Sequence, residues 1–309
     1  MTEKKDHRTI ALASIFSIPV VWGTTFAVVQ AALADSTPTL FVVIRFSVAG
    51  LVFALISSSA RKGIKYLFTA RTREEKIFRR DIIILGLSIG GGYILQTAGL
   101  LTTTTSKSAF LTSTAVIWTP LISHLMGREK VTRQLLVAVF VTLIGVLLMT
   151  QPYKAEGVSI GDLLTMCCAI TFGVYIVWID RATKNAMAVV NDEHTAALMV
   201  TSSQIVAAAL LFLVVLPFME TPHIHSTGTF WSAILYTALI GTGATAYLQT
   251  RYQGYVSPTA AAVIYMLEPV VAMIIAELFL TERISFLETL GALLIILGVI
   301  IAQARKSMS

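Results

Sequence analysis

SPTAAAVIYMLEPVVAMIIAELFLTERISFLETLGALLIILGVIIA, residues 257–302, is the stretch that decides how this chain is read. It consists of two apolar segments joined by a Thr281-Glu282-Arg283 turn, with Glu268-Pro269 near the middle of the first. A shorter copy occupies residues 108–150. Ser108 and Pro120 lie 12 residues apart, as do Ser257 and Pro269, and Glu129 and Gly145 lie 16 apart, as do Glu282 and Gly298. The copies differ between proline and turn glutamate, 9 residues against 13. The difference is about one helical turn. The chain therefore carries a duplicated apolar unit.

The duplicated unit belongs in a bilayer. Of 309 residues 56% are hydrophobic and only 13% charged, about half the charge of a soluble domain. Windows of about 20 apolar residues mark membrane spans. Ten are read, at 10–33, 38–58, 82–102, 106–127, 133–151, 160–180, 195–217, 230–250, 257–280 and 286–304. Backbone groups in lipid need internal partners, so the spans are predicted to be helices and the protein all-α. The N-terminal apolar run is too long for a signal-peptide core and is interrupted by Pro19 and Trp22-Gly23. It is expected to stay as the first helix.

The net charge of +6 reports topology rather than nucleic-acid binding. With the N-terminus in the cytoplasm, 19 Lys and Arg fall on the cytoplasmic side and 3 (Lys107, Lys154, Arg283) on the other, while Arg45 lies inside a span. This bias predicts cytoplasmic termini. The loop 57–81 holds eight of these cations, and residues 64–80 are expected to form a surface helix. The basic loop either orients the chain or binds anionic lipid or a partner. Cys167 and Cys168 are adjacent packing residues, and His124, His223 and His225 have no zinc-site spacing. There is no phosphate-binding GxxxxGK[ST] loop, so neither ATP-driven pumping nor an enzyme is indicated, and no cofactor or metal is expected.

Order across the chain extends the duplication. Trp22-Gly23 corresponds to Phe172-Gly173, Arg45 to Gln204, and Gln96-Thr97 to Gln249-Thr250, with Gly90 and Gly243 ahead of the two glutamines. The repeats are drawn at 1–152 and 153–309. Five spans is an odd number, so the second repeat is expected to be inverted, a plan that places a substrate site between the halves of secondary transporters.

Trp-Gly-Thr-Thr-Phe at 22–26, Arg45-Phe46, Leu-Glu-Pro at 267–269 and the Glu-Arg turn at 282–283 resemble the drug/metabolite transporter superfamily, and more narrowly its ten-helix EamA branch. The resemblance implies an inner-membrane carrier, often an exporter or exchanger of amino acids or related metabolites, with a cavity lined by spans 1, 3, 4, 6, 8 and 9. Trp118-Thr119 before Pro120 and the missing turn in span four depart from the repeat.

Glu268 lies 11 residues into span nine. A carboxylate at that depth is paired, neutralised or wet. It is either a ligand for a substrate cation and a proton-coupling group, or a structural partner of Arg45 or of helix ends. Pro120 and Pro269 are candidate hinges or static bends. Arg45 keeps its charge and is expected to pair with Glu268, Glu277 or Glu282, or to bind an anion. Lys107 either snorkels to headgroups or, with Arg45, makes an anion-attracting mouth. Interior Trp22, Tyr93, Trp118, Tyr175, Trp178, Tyr247 and Tyr265, with Gln96 and Gln249, suit a flat or cationic organic molecule. The candidate partners are thus a small-molecule substrate, the lipid bilayer and a coupling proton. Alternatives are a drug or amine carrier, and a non-transporting membrane subunit or lipid-handling protein.

Overall fold

A computed structural model describes residues 2–103, 105–154, 157–280 and 284–304. The turn 281–283 and the C-terminal cations Arg305 and Lys306 lie outside the described residues. In chain order the helices are α1 (Thr2–Ala32), α2 (Pro38–Ile56), α3 (Ser58–Thr69), α4 (Arg73–Leu100), α5 (Thr105–Ser113), α6 (Ala115–Leu125), α7 (Arg133–Thr150), α8 (Ile160–Val190), α9 (Glu193–Met219), α10 (Gly228–Tyr236), α11 (Thr245–Tyr252), α12 (Pro258–Tyr265), α13 (Glu268–Leu280) and α14 (Phe286–Gln303). The one extended pairing among the described residues is an isolated bridge, Ser36 to Ile224.

Seven of the predicted spans appear as helical stretches long and apolar enough to cross a membrane: α2, α4 from Arg73 to Gly99, α7, α8, α9, Pro258–Ile275 and α14. The all-helical expectation holds among the described residues. Continuity does not. The fourth span divides at Thr114 into α5 and α6, and the ninth divides at Met266-Leu267 into α12 and α13. The eighth passes through a π-helical segment, Thr237–Ala244, between α10 and α11.

Each interruption has a local cause. At Thr114 the backbone N–H and Oγ1 both donate to the Leu111 carbonyl, at 3.1 and 2.6 Å, tightening the chain into a turn. At the ninth span Met266 and Leu267 donate to Val263 and Ile264, a three-residue closure that ends α12. Pro269 therefore is not a mid-helix kink. It is the second residue of a new helix, where a missing N–H costs nothing. Pro120, by contrast, sits inside α6 and leaves the Val116 carbonyl without its usual helical donor.

The basic segment also differs from expectation. The surface helix starts earlier, at Ser58, and Arg73 to Arg80 belong to α4. Ser57 caps α3 through the Ala60 N–H at 3.1 Å. Thr72 and Glu75 cap α4 reciprocally, each side chain accepting from the other's backbone at 3.2 Å. Two caps so close together fix the corner between the helices.

The chain falls into two compact units, each drawing on both sequence repeats. One comprises Met1–Thr24, Leu95–Val177 and Tyr255–Ser309, the other Thr25–Ile94 and Trp178–Gly254. The first is built on the pairing of α7 with α14. A Cβ on Gly145 would meet the Gly291 carbonyl at 2.6 Å, and one on Gly291 would meet the Gly145 carbonyl at 2.5 Å. The helices thus touch backbone to backbone, the small-residue packing that membrane helices use where lipid supplies no hydrophobic drive. Val146, Val270, Ala292 and Ile295 form the core beside this contact.

The second unit is built on α2 and α9. Phe46 and Phe212 meet edge to face at 5.2 Å between centroids, and Tyr93 joins them at 5.6 Å from Phe46. Beyond the end of α9, the Glu220 carboxylate accepts the Thr39 and Leu40 N–H groups at 3.1 and 2.8 Å, capping α2. The following loop adds backbone bonds from Thr37 to His223 and from His225 to Asp35. The first unit yields a prediction. Gly291→Val would force α14 off α7 at a cost of about 1–3 kcal/mol, lowering the apparent melting temperature in detergent by roughly 2–10 °C. A thermal-shift measurement on the purified variant checks this.

Candidate functional site

In the first unit the break in the ninth span organises the candidate residues. α12 ends at Tyr265 and α13 begins at Glu268, so the carbonyl end of one half-helix and the N–H end of the next fall within three residues. Proline at 269 has no N–H to return to the Tyr265 carbonyl. The Glu268 carboxyl lies in the first turn of α13, where the helix dipole favours negative charge. Span one packs directly on this turn: a Cβ on Gly23 would sit 2.9 Å from the Glu268 carbonyl and 2.6 Å from Val271 Cβ. Only glycine lets the two backbones come so close. The preceding Trp22 then reaches the Tyr265 ring, with centroids 5.4 Å apart and planes tilted by 58°. Trp22 and Glu268 are half-buried and Tyr265 is buried. One tryptophan and one tyrosine therefore meet at the break that Glu268 follows.

The other candidates of this unit occupy separate positions. Gln96 donates from Nε2 to Thr112 Oγ1 at 3.1 Å. Trp118 packs so closely on Gly173 that a Cβ there would lie 3.1 Å from the Trp118 Cβ. Tyr175 is buried on α8. Lys107 pairs with Asp162 Oδ2 at 3.2 Å and also donates to the Gly157 carbonyl. Asp162 is held further by the Ser159 N–H at 3.0 Å and the Thr103 hydroxyl. Lys107 is thus part of a cluster that ties the start of α5 to the start of α8, a position sequence spacing alone assigned to headgroups or a vestibule.

In the second unit Arg45 is buried, at 6% exposure. Its Nε donates to Thr242 Oγ1 at 2.6 Å and its Nη2 to the Gly241 carbonyl at 3.1 Å. Both oxygens belong to the π-helical segment, whose wide turn presents carbonyls that an α-helix would use internally. These two bonds go to uncharged oxygens, and the sequence expectation was a glutamate or an anion. Of the glutamates, Glu277 is exposed and Glu282 lies outside the described residues. Arg45 therefore holds the irregular segment in place. Gln249, 1% exposed, donates to Gln253 Oε1 at 3.0 Å. Tyr247 Oη meets Nδ1 of exposed His194 at 2.6 Å. Nearby, the Thr195 hydroxyl and N–H hold the Asp192 carboxyl below its ordinary range at the start of α9.

Asp81, the last residue of the basic loop, is fully buried. It accepts from Arg80 at 2.9 and 3.1 Å, from Asn185 Nδ2 at 2.6 Å and from Trp178 Nε1 at 3.3 Å. The Arg181 guanidinium stacks 4.7 Å over the Trp178 ring. Trp178 is thereby fixed by a carboxylate on one side and a cation on its face. Asp81 closes the charged start of α4 directly before its apolar run, and that boundary was the available signal.

With this geometry in view, comparison with known proteins decides the family. The EamA-like transporter family model matches residues 9–151 and again residues 159–303. The chain belongs to the EamA-like transporter family. As such it is a multi-pass membrane transporter of the drug/metabolite transporter superfamily. Among relatives of this EamA-like chain, an uncharacterized transporter of Archaeoglobus fulgidus is 29% identical over 290 residues, covering 93% of this chain and 84% of the relative. The uncharacterized transporter YoaV of Bacillus subtilis is 24% identical over 293 residues, covering 93% and 94%. A crystal structure at 16% identity superposes with a TM-score of 0.77 over 97% of this chain and 99% of its own, a likeness of fold.

Two outcomes test this geometry. Arg45→Ala removes both bonds to the π-helical segment and should destabilise the protein by about 2–4 kcal/mol, seen as a lower melting temperature. Asp81→Asn should cost about 1–3 kcal/mol, because it removes the charge that the Arg80, Asn185 and Trp178 donors share, and should shift the Trp178 emission. Fluorescence of wild type against Asp81→Asn, with Trp178→Phe as reference, measures it.

Proposed function

We propose that this EamA-like transporter is an alternating-access carrier for a small organic solute bearing an ammonium group, with amino acids and related amines as the substrate class. The observation that carries the reading is Glu268 on the first residue of a half-helix, beside the Trp22–Tyr265 ring pair. A carboxylate there neutralises an ammonium. Two tilted aromatic rings accept its alkyl or aromatic body by stacking and cation–π attraction. Interrupted helices at mid-membrane are where transporters of other folds place their substrates, because irregular backbone survives only against protein or a wet cavity.

In this reading ten spans form two inverted five-span repeats, 1–152 and 153–309, in the cell inner membrane with both termini cytoplasmic. The 19-to-3 cation bias supports that orientation. Within the same unit Gln96, Trp118 and Tyr175 supply further lining and hydrogen bonds, Pro120 marks a bend in α6, and Pro269 marks the start of α13. Lys107 shapes the site indirectly, through Asp162. Glu268 exchanges a proton for the substrate ammonium, so export is driven by the proton gradient.

Counterflow in proteoliposomes tests this. Preloaded vesicles screened against labelled amino acids, amines and organic acids should accumulate an ammonium-bearing solute. Glu268→Gln should reduce that flux at least tenfold, or remove its dependence on a pH gradient, with the melting temperature unchanged within a few degrees. Undiminished, pH-responsive flux in Glu268→Gln, or counterflow confined to organic acids, overturns the assignment.

A further inference from the structure

The cationic corner between α2 and α4 is not used by the transport reading, and its geometry carries a separate conclusion. α3 is clamped on one side. Ala60 and Gly63 are buried against α9, and a Cβ on Gly63 would lie 2.8 Å from the Met199 carbonyl. Arg61 donates from Nη1 to the Ala54 and Leu55 carbonyls at 2.8 and 3.2 Å, closing the joint between α2 and α3. With that face held, the opposite face is set outward. Positions 61, 65 and 68 share it by helical spacing. All three residues are exposed, and Phe68 shows 67% of its surface.

The cations on this corner are not neutralised from within. Among the described residues, the salt bridges are Arg80–Asp81, Lys107–Asp162, Lys184–Asp180 and Arg251–Glu193. Lys65, Arg71, Arg73 and Lys76 are exposed and join none of them. Glu75 is committed to the Arg71 and Thr72 N–H groups, which hold its carboxylate in the cap of α4. Four unneutralised cations and one exposed phenylalanine thus share a fixed corner.

Its position identifies what covers it. Ser57 alone separates α3 from α2, whose final residues Leu51, Leu55 and Ile56 are exposed hydrocarbon on a membrane-spanning helix. α3 therefore starts where the hydrocarbon stops. A helix at that level with an aromatic side chain among lysines and arginines matches an interfacial anchor. Soluble anions offer charge but nothing for Phe68, whereas a lipid offers both phosphate and acyl chain.

We propose that the α3–α4 corner binds anionic phospholipids of the surrounding bilayer, with Lys65, Arg71, Arg73 and Lys76 on the headgroups and Phe68 inserted among the upper acyl carbons. Each cation near an anionic surface is worth about a fivefold gain in binding, so the four together select anionic over zwitterionic lipid.

The full chain is purified in detergent, given equal amounts of phosphatidylglycerol and phosphatidylcholine, and its retained lipid measured by native mass spectrometry. Wild type should retain phosphatidylglycerol at least threefold over phosphatidylcholine, and the variant K65Q/R71Q/R73Q/K76Q should lose that preference. Hydrogen exchange of the 58–69 amides in wild type, needing no variant, should slow at least threefold on moving from phosphatidylcholine nanodiscs to nanodiscs with about 30% phosphatidylglycerol. Phe68→Ala should remove part of that slowing while keeping the headgroup preference. No preference in wild type, an unchanged preference in the fourfold variant, unaltered exchange, or full displacement of the lipid by soluble glycerol phosphate each overturns the proposal.

Discussion

A backbone N–H or C=O in hydrocarbon must find a partner inside the protein, and three departures from regular helix among the described residues follow how that demand is met. At Thr114 the hydroxyl and the amide both turn back to Leu111. At the π-helical segment the Gly241 carbonyl accepts from Arg45 and from the Thr245 hydroxyl. At Met266-Leu267 the turn closes onto Val263 and Ile264, and Pro269 removes the next donor altogether. Threonine, arginine and proline do the work that water would do in a soluble loop. The last of these breaks is also where an acidic residue and two rings gather.

Buried charge obeys the same accounting. An ion inside a low-dielectric medium persists only with close partners. Arg45 finds a hydroxyl and a carbonyl, and Asp81 collects a guanidinium, an amide and an indole. Lys107 and Asp162 hold each other across the start of two helices. These groups stabilise geometry. Glu268 lies in the first turn of α13, on which span one packs through Gly23.

How much of this was visible beforehand follows from what a one-dimensional pattern encodes. Span length and hydropathy are local properties, so the helical class and most spans could be read directly, and the Glu268-Pro269 and Trp22-Gly23 motifs drew attention to residues that meet. Three things were hidden. Thr114 has no breaker chemistry of its own, so the division of span four depends on a hydroxyl choosing a carbonyl. Arg45 was expected to pair with a glutamate or to bind an anion, and what no motif announces is the acceptor that the wide turn at Gly241 adds. Asp81 sat at the end of a run of arginines and looked solvated. Its burial depends on Asn185 and Trp178, about a hundred residues away in sequence.

The clasp at Glu220 has a mechanical consequence. A carboxylate just beyond the end of α9 holds two amides at the start of α2, the next loop is stitched to residues 35–37, and Phe46 and Phe212 interlock partway along the same two helices. Two rods riveted at one end and geared along their length cannot slide or splay independently. α2 and α9 are thereby joined into a single stiff strut, and bending is left to segments that lack such rivets.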